Sequence, residues 1–274
     1  MHPARIAELL TPYLTPCHSE SVRRTDEEPA SLSHSNLTDI STYIDLLLRW
    51  NSRINLTAIR NEEEIMTRHF GESLFAARHL FRAPSSVFPP VPTVVKDSDF
   101  VCGSPEQVRE GHDFSRAAKP LGQNRASAPE AARGRNTFHA ADLGSGAGFP
   151  GIPIKLWAPE IHMTLIESNH KKSTFLREVV RALTLTNIDI LTARAESLSQ
   201  PYDVVTLRAV ERFTSILPIA ARLTKPTGRL ALLIASSQLD EATSSLPAIT
   251  WQRPIPIPHS ESRILSIGTH EPSQ

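Results

Sequence analysis

The chain of 274 residues is long enough for one large domain or two small ones, and a hydrophobic content of 40% is sufficient for a buried core. Lys plus Arg and Asp plus Glu both number 29, so no global field argues for nucleic acid, and any RNA contact has to come from a local patch. Two cysteines, Cys17 and Cys102, support neither a disulfide framework nor a metal site; no apolar run reaches membrane-spanning length, and no signal peptide is expected around Arg5 and Glu8, which leaves the cytoplasm as the expected location.

Residues 1–81 read as a helical N-terminal cap. Ile6, Leu9, Leu10 and Tyr13 share one face of a short helix that Pro16 should end. From Cys17 to Ser35 the chain is polar without periodicity and reads as a loop or a disordered stretch. Leu37, Ile40, Ile44, Leu47 and Leu48 then recur at spacings of three and four after the candidate caps Asn36 and Thr38, which predicts a helix. Asn61 with Glu64 resembles a capping box, and a last helix carries Leu74, Phe75 and Leu80. Residues 82–137 differ from both neighbours. Seven prolines, four glycines, charges of both signs and no sustained apolar period predict a disordered or weakly ordered insertion.

From 138 onward strands and helices alternate. Strands are expected near 138–143, 163–166, 188–191, 202–206 and 228–234, with helices over 150–157, 171–183, 213–223 and 238–246. Two closing strands near 249–255 and 263–267 should form an antiparallel hairpin, the first kept short or at an edge by Pro254, Pro256 and Pro258. The pattern predicts an α/β fold over 138–274: a Rossmann-like, doubly wound and mostly parallel sheet that binds ligands at the carboxyl ends of its strands.

Asp142-Leu143-Gly144-Ser145-Gly146-Ala147-Gly148-Phe149-Pro150-Gly151 reads as a strand end, a glycine turn and a helix start, which is the form of a cofactor-binding elbow. Gly146-x-Gly148-x-x-Gly151 satisfies the dinucleotide fingerprint literally. Asp142, however, is expected to point into the same crevice, where a carboxylate repels a pyrophosphate and attracts the ammonium and sulfonium of S-adenosylmethionine. Glu167, at the tip of the next strand, is placed to accept both ribose hydroxyls.

Further motifs follow in order: Glu167-Ser168-Asn169-x-Lys171-Lys172 with Phe175-Leu176-Arg177, then Ala193-Arg194-Ala195-Glu196, then Tyr202-Asp203-Val204-Val205-x-x-Arg208-Ala209. The cap adds Trp50-Asn51, Asn55-Leu56-Thr57 and Arg68-His69-Phe70-x-Glu72-Ser73-Leu74. Together with the glycine stretch these resemble the RsmG (GidB) family of bacterial 16S ribosomal RNA methyltransferases over roughly residues 38–80 and 138–270.

The resemblance implies a class I methyltransferase that uses S-adenosylmethionine to methylate guanine N7 in the 530 loop of 16S rRNA. On that basis Gly144 and Phe149 would line the pocket of the methionine part, with Asp142 facing its charged end, and Gly146 would also bind the cofactor. Glu167 would take the ribose, Ala195 and Glu196 the adenine, and Arg208 would stand at the cofactor or substrate site. Arg208, His69 and Asn55 are positioning candidates, and Lys171, Lys172, Arg177 and Arg212 are candidates for RNA contact. The partner implied is 16S rRNA or the small ribosomal subunit, with no DNA, no membrane and no metal, and a monomer is expected. Three departures are visible: Glu72 where the family has an aspartate, Leu207 where a small residue is usual, and the insertion.

Neither cysteine lies in a nucleophile motif, and no Asp- or Asn-Pro-Pro-aromatic motif follows the fourth strand. Guanine N7 needs neither, since its lone pair is free, and no general base is assigned. From the residues alone, other readings stay open: an S-adenosylmethionine methyltransferase acting on another nucleobase or a small molecule, a cofactor-binding interaction protein without turnover, and, more distantly, a dinucleotide oxidoreductase. His69 reads equally as a packing histidine, and Lys171 and Lys172 as a solvated helix start.

Overall fold

The computed structural model describes residues 1–15, 32–81, 138–209 and 212–270, all within one compact unit. The readings of Cys17 and Cys102 and of the insertion 82–137 lie outside the described residues.

Helix α1 (Pro3–Leu14) buries Ile6, Leu10 and Tyr13 and accommodates Pro12 near its end. Helix α2 (His34–Asn51) begins earlier than the sequence suggests. Its N-cap is Ser33, whose Oγ accepts the Asn36 amide at 3.1 Å, so Asn36 and Thr38 are corrected to positions inside the helix, and His34 and Ser35 to helix. The Asn36 side chain instead donates to the Leu156 carbonyl at 2.8 Å, tying α2 to the layer that covers the sheet. Asn61 does cap its helix, accepting the Glu64 amide at 3.0 Å. That helix runs as α3 (Glu62–Ile65), a π turn over Met66–Gly71, and α4 (Glu72–Leu80). A π turn inserts a residue and re-aims what it carries, here Arg68 and His69.

The sheet contains β1 (His139–Leu143), β2 (His162–Ile166), β3 (Ile188–Leu191), β4 (Tyr202–Arg208), β5 (Thr224–Ala235), β6 (Ile249–Trp251), β7 (Ile255–Pro256) and β8 (Arg263–His270). Its order is β3-β2-β1-β4-β5-β8-β6, with β7 paired to β8 off this path. Strands β1 to β5 are parallel, and β8 runs antiparallel to its neighbours β5 and β6, so the fold is the doubly wound α/β sheet that the alternation predicts. The prolines act as expected, reducing the penultimate strand to the two short pieces β6 and β7. Helices α5 (Gly151–Trp157), α6 (His170–Ala182), α7 (Phe213–Arg222) and α8 (Leu239–Ser245) supply the crossovers and one closing cover. Because the chain leaves β1 toward β2 on one side and returns through β4 on the other, a crevice opens at the carboxyl ends of β1 and β4.

One hydrophobic cluster runs from Ile6 and Ile44 through Phe70 and Phe149 to Leu165 and Leu265, so the cap and the sheet share a core. Among the described residues, no helix is long and apolar enough to cross a membrane.

The ends flanking the insertion meet. The Phe81 and Phe138 rings stand edge to face with centroids 5.8 Å apart, and the Arg229 guanidinium lies 6.0 Å from each. A short connection would therefore be enough to join Phe81 to Phe138. Replacing residues 88–134 by a Gly-Ser linker is expected to preserve the far-ultraviolet circular dichroism per folded residue and a cooperative melt; a non-cooperative melt would show that the replaced stretch holds the core together.

Candidate functional site

The glycine elbow is closed by its own hydrogen bonds. The Gly144 and Ser145 amides donate to the Ile166 carbonyl, Gly148 and Phe149 to that of Ser145, and Ile152 to that of Gly148. The Gly146 amide donates to Glu167 Oε2 at 2.9 Å and the Gly151 amide to Asp142 Oδ2 at 3.2 Å. Gly144, Gly146 and Gly148 all have positive φ. At Gly148 a Cβ would also collide with the Tyr43 hydroxyl, which donates to the Ala147 carbonyl and so clamps the elbow from the cap.

Asp142 departs from expectation. It is 1% exposed and does not line the crevice. Register explains this: Asp142 pairs with Thr206 across β1 and β4, and Thr206 donates to Oδ1 at 2.9 Å while Oδ2 turns to Gly151. The carboxylate shapes the elbow from behind. Burial pushes its pKa up to about 6, against the opposing effect of these hydrogen bonds. A folded-state pKa above the ordinary carboxyl value means that stability from this group is fully present below about pH 4 and is lost as pH rises through about 6. Asp142→Asn can keep the geometry, its oxygen accepting from Gly151 and its amide donating to Thr206, whose hydroxyl then turns to the Ala141 carbonyl at 3.3 Å. Urea midpoints measured from pH 4 to pH 7 should fall less in this variant than in the wild type.

Glu167 lies where the sequence puts it, on the crevice wall and 7% exposed. Oε1 accepts the Asn169 amide at 2.7 Å and Oε2 that of Gly146. Each oxygen keeps a lone pair, so a ribose diol can still be bound. Gly144, Gly146, Phe149, Ala195 and Glu196 line the same cleft, whose volume is about 700 Å³, enough for a nucleoside-sized ligand.

At the cap end the structure assembles a buried polar group. The Arg208 side chain is 8% exposed and that of Glu72 3%, with Nη2 and Oε2 2.9 Å apart. Arg263 of β8 brings Nε to 3.1 Å from the same oxygen, at an angle that makes it an ion pair and not a hydrogen bond. Arg208 Nη2 also donates to the Arg68 carbonyl in the π turn at 2.7 Å, and Nη1 reaches His69 Nδ1 at 3.1 Å. His69 stacks on Phe149, centroids 4.8 Å apart, and meets Thr57 Oγ1 through Nε2 at 2.7 Å. Burial, reinforced by Arg208, pulls the His69 pKa down to about 3, so the ring is neutral. Ala209, directly after Arg208, has φ +49, the left-handed region, at the crevice rim.

Thr57, His69 and Arg208 all line the cleft, whereas Asn55 is exposed and does not. Lys172 and Arg212 line it as well; Lys171 is exposed at the start of α6, and Arg177 donates to Thr192 at 2.8 Å on the surface. Sequence reasoning missed Tyr43, Thr206 and Arg263. Tyr43 lies three residues after Ile40 and four before Leu47, on the same helical face, and reads as core; the other two have no local signal.

The donor set fits a nucleoside without phosphates. The amides of Gly144, Ser145, Gly146, Gly148, Phe149, Gly151 and Ile152 are spent within the protein, which leaves few donors for a pyrophosphate, and Glu167 is available to a diol.

A family model described as rRNA small subunit methyltransferase G matches residues 36–87 and 125–258, and the unmatched stretch between them falls inside 82–137. A Ribosomal RNA small subunit methyltransferase G of Roseiflexus sp. (strain RS-1) is 30% identical over 249 residues, covering 86% of this chain and 84% of the relative. The protein of that name from Bacillus subtilis (strain 168) is 30% identical over 230 residues, 82% of this chain and 74% of the relative. A solved SAM dependent methyltransferase from Aquifex aeolicus aligns with a TM-score of 0.41 at 17% identity, covering 48% of this chain and 81% of that one.

Proposed function

The chain belongs to the rRNA small subunit methyltransferase G (GidB) family of S-adenosylmethionine-dependent rRNA methyltransferases, and from that premise we propose that it methylates N7 of a guanine in the 530 loop of 16S rRNA. The observation that carries the choice of atom is the state of the polar groups beside Phe149. His69 Nδ1 is occupied by Arg208, the ring does not titrate near neutrality, and Arg208 is a donor whose charge Glu72 offsets. No free base stands at this end of the cleft among the described residues, and N7 is a nucleophile that needs none.

S-adenosylmethionine, when bound, supplies an electrophilic methyl on a cationic sulfur. Glu167 would take the ribose, Ala195 and Glu196 the adenine, and Gly144, Gly146 and Phe149 the methionine part, with Asp142 acting from behind the elbow. His69, backed by the buried Phe149 ring on which it stacks, is the surface against which a purine would be aligned in line with the methyl. Lys171, Lys172, Arg177 and Arg212 would contact phosphates, in a salt-dependent way. Residues 1–81 act as the cap over the site, 82–137 as an insertion and 138–274 as the methyltransferase domain, working as a cytoplasmic monomer on rRNA or the small subunit.

Methyl transfer from labelled S-adenosylmethionine to small subunits that lack their own modification, mapped by cleavage at N7-methylguanosine, tests this. One labelled guanosine in the 530 loop is expected. Label at another base, or on another atom of guanine, would overturn the reading while leaving the family and cofactor in place.

A further inference from the structure

The hydrogen bonds of the cap end run in one direction. Arg208 can only donate, so His69 Nδ1, 3.1 Å from Nη1, accepts, and the single proton of the neutral ring resides on Nε2. Nε2–H donates to Thr57 Oγ1 at 2.7 Å, and the Ile59 amide donates to that oxygen at 3.1 Å. Both lone pairs of the hydroxyl are then occupied. A threonine hydroxyl ordinarily accepts or donates; this one, on the cleft wall, is left with its proton alone.

We propose that Thr57 is a specificity-determining residue: its hydroxyl, held as a donor only, binds O6 of the target purine beside the N7 that receives the methyl. The inference rests on the N7 reading above. In guanine, N7 and O6 are adjacent acceptors on one edge, whereas adenine presents an amino donor at position 6. An adenine would set its N–H against a hydroxyl that cannot accept, leaving two donors unpaired in a partly buried cleft. His69 and Arg208 act through Thr57 as positioning residues, and Glu72 acts through Arg208. The network thus converts a distant buried charge into a fixed hydrogen-bond direction at the substrate.

The test uses reconstituted small subunits that carry either guanosine or 2-aminopurine riboside at the target position; the analogue keeps N7 and lacks O6. The wild type is expected to methylate guanosine roughly 100-fold faster in kcat/KM. Thr57→Val should bring the ratio of kcat/KM for guanosine over 2-aminopurine close to one, whatever the overall rate, and Thr57→Ser should restore the preference. Equal wild-type rates on the two bases would overturn the inference however the variants fold, and so would a full guanosine preference in Thr57→Val. N7 product without a penalty for 2-aminopurine sinks this inference alone. A methyl mapped to a different atom sinks the N7 reading and this inference with it.

Discussion

Glu72→Ala is expected to destabilise the fold by about 3–5 kcal/mol, the usual consequence of removing one partner from a buried ionic group. The carboxylate is 3% exposed and lies between two guanidiniums, that of Arg208 at 2.9 Å and that of Arg263 at 3.1 Å. Truncation leaves two cations with little water, in contact with the cap and with β8 at once. In a chain of this size the melting temperature should drop by about 10 °C, and urea denaturation should show the same loss. Glu72→Asp keeps the charge but shortens the reach by one methylene, so it should lose less. Arg208→Met separates structure from function: Glu72 still pairs with Arg263, the fold is largely retained, and methyl transfer falls because His69 loses the donor that sets its tautomer. If Glu72→Ala melts like the wild type, the ion pairs are not what joins the cap to the sheet.

What the sequence makes legible here is local. Apolar runs of four to eight residues bounded by glycine, proline and polar residues mark β1 to β5, and the proline triplet after Trp251 correctly marks a broken edge strand. Glu167 is found because a strand tip next to a glycine turn is a local pattern. Asp142 is the instructive failure. Its position at the end of β1 is right, yet the direction of its carboxylate is set by Thr206 on a strand 64 residues away, which no pattern around Asp142 reveals. Ser33 was hidden for the opposite reason: Asn36 and Thr38, nearer the apolar row, satisfy the same capping rule, and only the extended backbone at Ser33 decides in its favour. The π turn leaves no trace either: Met66, Phe70 and Leu74 keep a helical spacing through it.

The cap network shows why a family pattern carries residue names further than it carries roles. Arg208 and His69 meet in the cleft, but they are 139 positions apart, and what each does depends on Glu72 and Arg263 behind them. Only the assembled geometry orders the donors, from a guanidinium that cannot accept to a hydroxyl that cannot accept.

Glu167→Ala is expected to weaken S-adenosylmethionine binding by at least about 100-fold in calorimetry, equivalent to roughly 2.7 kcal/mol or more. Two contributions add. A carboxylate that accepts two ribose hydroxyls makes hydrogen bonds to a charged group, each worth about 1.5–3 kcal/mol. The same oxygens hold the Gly146 and Asn169 amides, so truncation also releases the elbow and the start of α6. Glu167→Gln removes half of each contribution: a carboxamide has one accepting oxygen, so one of those two amides and one ribose hydroxyl are left facing an NH2 group. It should therefore bind more weakly than the wild type by an intermediate factor, with the start of α6 exchanging amide hydrogens faster. Glu196→Ala, at the exposed adenine end, is expected to lose far less. S-adenosylhomocysteine shares the ribose and lacks the sulfonium, so both ligands should weaken by the same factor in Glu167→Ala. A loss confined to S-adenosylmethionine would mean that Glu167 senses the sulfonium charge and that the ribose is held by another group.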